Sequence, residues 1–210
     1  MPELPFIVVN PQCPHDLIWS QCAEDCHRIV HEVIRAHGNV DLRRIYLTGL
    51  SMGGMGCWTV ASAFPDTFAA VAPICGAFIP PPAPEVAAER MEPNGFEKFG
   101  QLRVSPTLEQ AKALCHLPLY IVHGAKDTAV PVSGSLDIFA RLQEAGASDV
   151  TLVVYPDVDG RIGHDSWSQT CLLRVTFIYI YVCKICMENL YVNIESMCTQ
   201  FLHTCYTEQL

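Results

Sequence analysis

Gly49-Leu50-Ser51-Met52-Gly53-Gly54 is the stretch that decides the fold. It fits the pattern G-x-S-x-G, and its surroundings fit as well. The run Arg44–Thr48 before it predicts a strand, and the segment Gly53–Phe64 after it predicts a helix that Pro65 ends. A strand that turns sharply into a helix leaves no room for side chains beside the turn, which explains the glycines. We therefore expect Ser51 on a tight strand-to-helix turn, with its hydroxyl clear of the sheet.

The same turn predicts a place for a developing negative charge. The first amides of a helix have no intrahelical acceptor, and the helix N-terminus carries partial positive charge. The backbone N–H of Met52 is therefore the expected donor to an oxyanion. The alternative interpretation is a glycine-rich turn in which Ser51 is incidental, and the flanking strand and helix favour the functional one.

Strands and helices alternate on both sides of this turn, up to about Trp167. The predicted strands are Phe6–Val9, Arg44–Thr48, Ala69–Ile74, Leu119–His123 and Val150–Tyr155. The predicted helices are Gln21–His37, which Gly38 should end, Gly53–Phe64, Leu108–Leu114 and Ser135–Ala145. This order predicts an α/β fold, a mostly parallel sheet with helices on both faces. The proline-rich segment Ile79–Gly100 predicts a surface excursion with one short helix near Glu85–Met91.

Two further residues with catalytic chemistry follow predicted strands. Asp127 comes just after the strand Leu119–His123, where a carboxylate can orient a histidine. His164 follows the strand Val150–Tyr155, behind Gly163. Each has a plain alternative, a turn-forming aspartate and a surface histidine. Serine, acid and histidine in this chain order, each at a strand end, favour a catalytic triad.

Composition excludes several classes of protein. The net charge is −9 and no basic run exceeds Arg43-Arg44, so we expect no nucleic-acid partner. The longest apolar stretch, Val175–Cys183, is shorter than the roughly 20 residues that a transmembrane helix needs. The first residues show no signal peptide, so we expect a cytoplasmic protein whose eleven cysteines are mostly reduced thiols. Cys183 and Cys186 form a lone C-x-x-C, which predicts neither a metal nor a cofactor.

The last 42 residues differ from the rest of the chain. All 13 glycines and all 15 prolines lie in residues 1–168, whereas residues 169–210 hold five cysteines and neither glycine nor proline. A segment without turn residues is not typical of a compact domain. We therefore expect a domain over 1–168 and an atypical Cys-rich, hydrophobic tail over 169–210. Within it, Val175–Val182 is uncharged and β-prone, which predicts an aggregation liability.

Several of these motifs together resemble the α/β-hydrolase superfamily, in its predicted-peptidase and phospholipase/carboxylesterase branch, which is similar to dienelactone hydrolases and feruloyl esterases. The resemblance rests on the stretches Asp41–Gly54, Phe64–Gly76 and Pro5–Pro14, and on His123–Asp127 and Gly163-His164. It covers roughly residues 5–168 and implies a three-layer α/β sandwich with Ser51 as nucleophile, Asp127 as acid and His164 as base.

The chain departs from this branch in two ways. The branch has a His-Gly loop upstream whose backbone supplies a second oxyanion donor, and no such loop precedes Ser51 here. The strand before that loop, which would lie between the strands Phe6–Val9 and Arg44–Thr48, is also missing. We therefore expect a fold that is incomplete on its N-terminal side. We expect the tail over 169–210 to stay outside the packing of the domain, and the alternatives are that it packs as an edge strand or fills the gap left by the missing strand.

The function expected is hydrolysis of carboxylic esters by a Ser-His-Asp acyl-enzyme mechanism, on a small-molecule ester or acyl substrate. Two alternatives stay open: a catalytically impaired fragment or isoform, and a thioesterase or peptidase of the same fold. The sequence names neither the substrate nor the oligomeric state.

Overall fold

The structure, a computed structural model, describes residues 6–14, 17–79, 105–158, 163–166 and 181–184. The expected excursion beyond Ile79, with its short helix near Glu85–Met91, lies outside the described residues. Most of the tail over 169–210 lies outside them as well.

Six strands form one sheet in the order β1-β6-β2-β3-β4-β5. They are β1 (Phe6–Val8), β2 (Val40–Leu50), β3 (Ala70–Ile74), β4 (Leu119–Gly124), β5 (Val150–Tyr155) and β6 (Tyr181–Lys184). The four strands from β2 to β5 are parallel neighbours, while β6 pairs antiparallel with both β1 and β2. The prediction of an α/β fold with a mostly parallel sheet is confirmed.

In the described residues, four α-helices connect the strands: α1 (Ala23–His37), α2 (Met52–Ala63), α3 (Leu108–Leu114) and α4 (Ser133–Glu144). Helix α1 begins later than predicted because Trp19–Gln21 forms a separate 3-10 turn. It ends as predicted at Gly38, whose φ of 63° and N–H bond to the Ile34 carbonyl (3.1 Å) make a left-handed C-cap.

The strand order determines where these helices lie. Right-handed crossovers that always step in the same direction along a sheet place every helix on the same face. The steps from β1 to β2, β3, β4 and β5 all go one way, and neighbouring helices contact each other in the order α1, α2, α3, α4. The described helices therefore form one layer on one face. A second helical layer is not among the residues that the structure describes.

Helix α2 is the centre of the core. Its residues from Gly54 to Ala61 are all buried, which is expected of a helix that is apolar on every side. Trp58 is fully buried, and its indole N–H donates to the Gly76 carbonyl at 3.2 Å. Because α2 contacts both β2 and β3, the helix that follows Ser51 is held firmly against the sheet.

Strand β6 comes from the tail and differs from the expectation that this segment stays outside the packing. Its backbone fills the position between β1 and β2 where the resemblance implies a missing strand, with Val182 opposite Ile7 on one side and Ile45 on the other. An empty position there would leave the facing backbone groups of both neighbours without partners. At least this part of the tail thus belongs to the sheet.

Candidate active site

Ser51 lies on the sharp turn between β2 and α2. Its φ of 54° and ψ of −117° are outside the regions that L-residues usually adopt, so the backbone is strained at this residue. A hydrogen bond to the sheet stabilises this strained conformation, because the Ser51 N–H donates to the Ile74 carbonyl at 2.9 Å. The turn that the sequence predicted is therefore present, with the serine at its tip.

The glycines around Ser51 serve different purposes. A Cβ on Gly49 would collide with the backbone of Gly53, and a Cβ on Gly54 would lie 2.5 Å from the Ile74 carbonyl oxygen. A Cβ on Gly53 would meet nothing within 4 Å. The expectation that both flanking glycines must lack a side chain is therefore wrong for Gly53, and the adjacent Gly54 carries that constraint.

His164 links the serine to the acid. Its Nε2 lies 2.8 Å from Ser51 Oγ, and its Nδ1 lies 2.6 Å from Asp127 Oδ2. Because a carboxylate only accepts, the hydrogen resides on Nδ1, and Nε2 can accept the hydrogen of the serine hydroxyl. The structure thus brings together the three residues that the sequence singled out, in the geometry of a serine–histidine–acid relay.

Asp127 is held as a carboxylate. Burial by itself would raise the pKa of its carboxyl group. Hydrogen bonds from His123, His164 and the Val130 N–H outweigh burial and hold this pKa well below its usual range. Oδ1 accepts from the N–H groups of Ala129 (2.9 Å) and Val130 (2.8 Å), which leaves Oδ2 for the imidazoles.

Two glycines allow the loop of the acid and the loop of the histidine to touch. A Cβ on Gly124 would collide with the Gly163 carbonyl oxygen. Gly163 has a φ of +65°, and a Cβ there would lie 2.5 Å from the Lys126 carbonyl oxygen. His164 is therefore placed beside Asp127 by direct backbone contact between the loops.

Met52, the expected oxyanion donor, is the first residue of α2. Its N–H stands at the helix N-terminus, where amides lack intrahelical acceptors and the helix dipole favours negative charge. It follows directly on Ser51, and its role as oxyanion donor stays a prediction.

A thiol, Cys75, follows β3 close to the turn of Ser51. Cys75 is buried and has a φ of 42°, and burial raises the pKa of its thiol to about 12. A raised pKa favours the protonated thiol, which is a weaker nucleophile than the thiolate. Cys26, Cys57, Cys75 and Cys115 are free thiols. Within that part, no three His, Cys, Asp or Glu side chains converge as metal ligands.

The sequence predicts that His123 ends a strand and helps to shape the loop of the acid, but it gives no sign of Ser135. His123 is fully buried at the end of β4, with Nδ1 at 2.8 Å from Ser135 Oγ and Nε2 at 3.3 Å from Asp127 Oδ2. A histidine at a strand end before the acid was the only signal available. The contact with Ser135 depends on how α4 packs, which sequence spacing does not reveal.

A cavity of about 180 Å³ lies near the turn, between the residues that follow β1, strand β2 and helices α1 and α2. Its lining is mostly apolar and includes Trp19, Leu47, Cys57 and Gly53. Ser51, Asp127 and His164 do not line it, so it does not identify the substrate.

The chain matches known proteins over most of its length. The model of the family described as the prolyl oligopeptidase family matches residues 18–177. No curated protein sequence matches the chain significantly.

None of the helices in the described residues is long and apolar enough to cross a bilayer.

Solved structures give similar matches. A thermostable esterase is 27% identical with a TM-score of 0.58, over 76% of this chain and 39% of the esterase. An acylaminoacyl peptidase from Pyrococcus horikoshii is 21% identical with a TM-score of 0.51, over 70% of this chain and 25% of the peptidase. The chain thus spans well under half the length of these two proteins. The second similarity supports the fold alone, and both agree with an α/β-hydrolase.

Proposed function

Because the chain belongs to the prolyl oligopeptidase family, within the α/β-hydrolase superfamily, we propose that it is a serine hydrolase that cleaves carboxylic esters. The observation that carries this proposal is the relay Ser51 Oγ–His164 Nε2–His164 Nδ1–Asp127 Oδ2, with distances of 2.8 and 2.6 Å. Hydrogen-bond distances of this size suit proton transfer between nucleophile and base.

The proposed reaction has two steps. Ser51 Oγ attacks the acyl carbon while His164 Nε2 takes its proton, and the Met52 N–H stabilises the oxyanion. His164 then returns that proton to the leaving alcohol as the carbon–oxygen bond breaks, which leaves an acyl group on Ser51. In the second step His164 activates water in the same way, and the acid is released. Asp127 stays ionised throughout and stabilises the imidazolium.

Two observations bear on the bond that is cleaved. The similarity to a thermostable esterase, at 27% identity, supports an ester. The description of the matching family supports a peptide bond, which makes peptide hydrolysis the second candidate. The relay serves both, because it acts on the acyl carbon and not on the leaving group.

Labelling with a fluorophosphonate tests the nucleophile. We expect one covalent adduct, mapped to Ser51 by mass spectrometry, and none in Ser51→Ala. Ser105→Ala is the matched control, because Ser105 is an exposed serine and its loss should leave labelling unchanged. An adduct on another serine, or no adduct on the folded protein, contradicts the proposal.

Comparing the hydrolysis of two substrates distinguishes an esterase from a peptidase. We expect hydrolysis of p-nitrophenyl acetate that disappears in Ser51→Ala, and slower hydrolysis of the matching p-nitroanilide. Preference for the anilide would favour the peptidase. The assay should be repeated after thiol blocking, because Cys115 is a partly exposed free thiol that can react with activated esters.

A further inference from the structure

The acid of the relay lies between two imidazoles. Asp127 Oδ2 is 2.6 Å from Nδ1 of His164 and 3.3 Å from Nε2 of His123. The reaction proposed above uses only His164. His123 is fully buried, so its side chain is not accessible to a substrate that binds from solvent.

The hydrogen bonds of His123 fix its tautomer. Nε2 lies 2.8 Å from the Val130 carbonyl oxygen, and a carbonyl only accepts, so Nε2 carries the hydrogen. Nδ1 then accepts the hydrogen of the Ser135 hydroxyl at 2.8 Å. The Nε2–H therefore points toward the Val130 carbonyl oxygen, and Asp127 Oδ2 lies 3.3 Å from the same nitrogen.

Val130 completes a closed arrangement around the acid. Its N–H donates to Asp127 Oδ1 at 2.8 Å, and its carbonyl accepts from His123. One imidazole thus holds the loop that follows β4 at two points. Through Ser135 the ring is in turn anchored to α4. A rigid planar ring with nitrogens on opposite sides can bridge these elements, and a flexible side chain would do so at a larger entropic cost.

We propose that His123 is a positioning residue for the acid. Its Nε2–H supplies a second donor to Oδ2, so that the carboxylate stays turned toward Nδ1 of His164. The expected effect on kcat rests on the proposed function. The effect on the position of the carboxylate does not, and it can be tested without turnover. Without the donor, the carboxylate could rotate, and the hydrogen bond to His164 would lengthen.

Three variants separate positioning from general support of the fold. His123→Leu removes the donor, and His123→Gln restores an N–H at about the same reach. Ser135→Ala removes the other bond of the ring and leaves Nε2 in place. Two measurements apply to each: the low-field proton NMR signal of the His164 Nδ1–H, and kcat and KM on p-nitrophenyl acetate.

We expect His123→Leu to lose or shift the low-field signal and to lower kcat by roughly 10- to 100-fold, the effect of one hydrogen bond to a charged group. KM should be unchanged. His123→Gln should recover the signal and most of kcat, and Ser135→Ala should lower the melting temperature while signal and kcat persist.

An unchanged low-field signal in folded His123→Leu overturns the inference, as does a Gln variant no better than Leu. If the Leu variant does not fold, His123→Asn replaces it, because its shorter amide cannot reach Oδ2. If the parent chain neither labels nor turns over, the proposed function fails, and the NMR signal still decides the role of His123.

Discussion

A Cβ atom on Gly163 would lie 2.5 Å from the carbonyl oxygen of Lys126. The backbone before the histidine therefore rests on the backbone before the acid, and no L-side chain fits between them. The distance from His164 to Asp127 is thus set by main-chain contact as well as by the hydrogen bond between their side chains.

Gly163→Ala should disable the relay. The added methyl group must push the two loops apart, and displacing a catalytic group by about 1 Å can cost 100-fold in rate. Gly38→Ala is the matched control, because Gly38 has a φ of +63° and a Cβ there meets nothing within 4 Å. Both variants should lose roughly 1–2 kcal/mol of stability from backbone strain, but only Gly163→Ala should lose fluorophosphonate labelling. Equal labelling of the two would show that the contact is unimportant.

Gly53→Ala should be tolerated, although Gly53 belongs to the G-x-S-x-G pattern. The position is helical and open, so alanine should stabilise α2 by up to about 1 kcal/mol. Gly54→Ala, one residue later, should destabilise the protein because its Cβ meets the Ile74 carbonyl oxygen. Urea unfolding of the two variants checks the difference. A larger loss at Gly53 than at Gly54 would contradict the placement of the turn.

Asp127 should make stability depend on pH at acid values. Its folded-state pKa is lowered, so the stability it contributes is fully present above the unfolded pKa of about 4 and is lost as pH falls further, toward the folded value. The contribution of the carboxyl group to the difference in unfolding free energy between the parent and Asp127→Asn should therefore be fully present above about pH 5, where this group is ionised in both states. It should shrink as pH decreases below about 4. A difference that grows with acidity would reverse the sign and refute the assignment.

Val182→Pro should destabilise the sheet. Val182 faces Ile7 of β1 and Ile45 of β2, and proline cannot donate to either ladder. We expect a loss of roughly 1–3 kcal/mol from backbone groups left unpaired, whereas Val182→Thr, which keeps the N–H and the branched Cβ, should change little. Deleting residues 170–210 should have a larger effect in the same direction. Unchanged unfolding of both the proline and the deletion variants would mean that the tail is dispensable, as its composition alone suggests.

Much of the fold could be predicted from local sequence patterns. The turn at Ser51 could be predicted because G-x-S-x-G, the strand before it and the helix after it are neighbours in the chain. Four of the five predicted strands match observed ones to within two residues at each end. Strand β2 is the exception. It begins at Val40, earlier than predicted, because the charged residues at its start obscure the alternation of apolar and polar side chains.

Long-range pairing accounts for what the sequence left open. The position of β6 depends on which neighbours offer unpaired backbone, and no feature of Tyr181–Lys184 specifies this. The bond from Ser135 to His123 likewise needs the packing angle of α4. The order Ser51, Asp127, His164, each after the end of a strand, did place all three at one edge of the sheet, and their catalytic roles stay predictions until the serine is labelled.

The position of β6 also determines the order in which the protein can assemble on the ribosome. Strands β1 and β2 are synthesised within the first 50 residues, but the strand between them begins only at Tyr181. Parallel β2 to β5 with their helices can form as each element emerges, whereas the junction with β1 must wait until Tyr181–Lys184 has been translated. During that interval the strand that leads to Ser51 keeps one unpaired edge, which is the state most exposed to pairing with another chain.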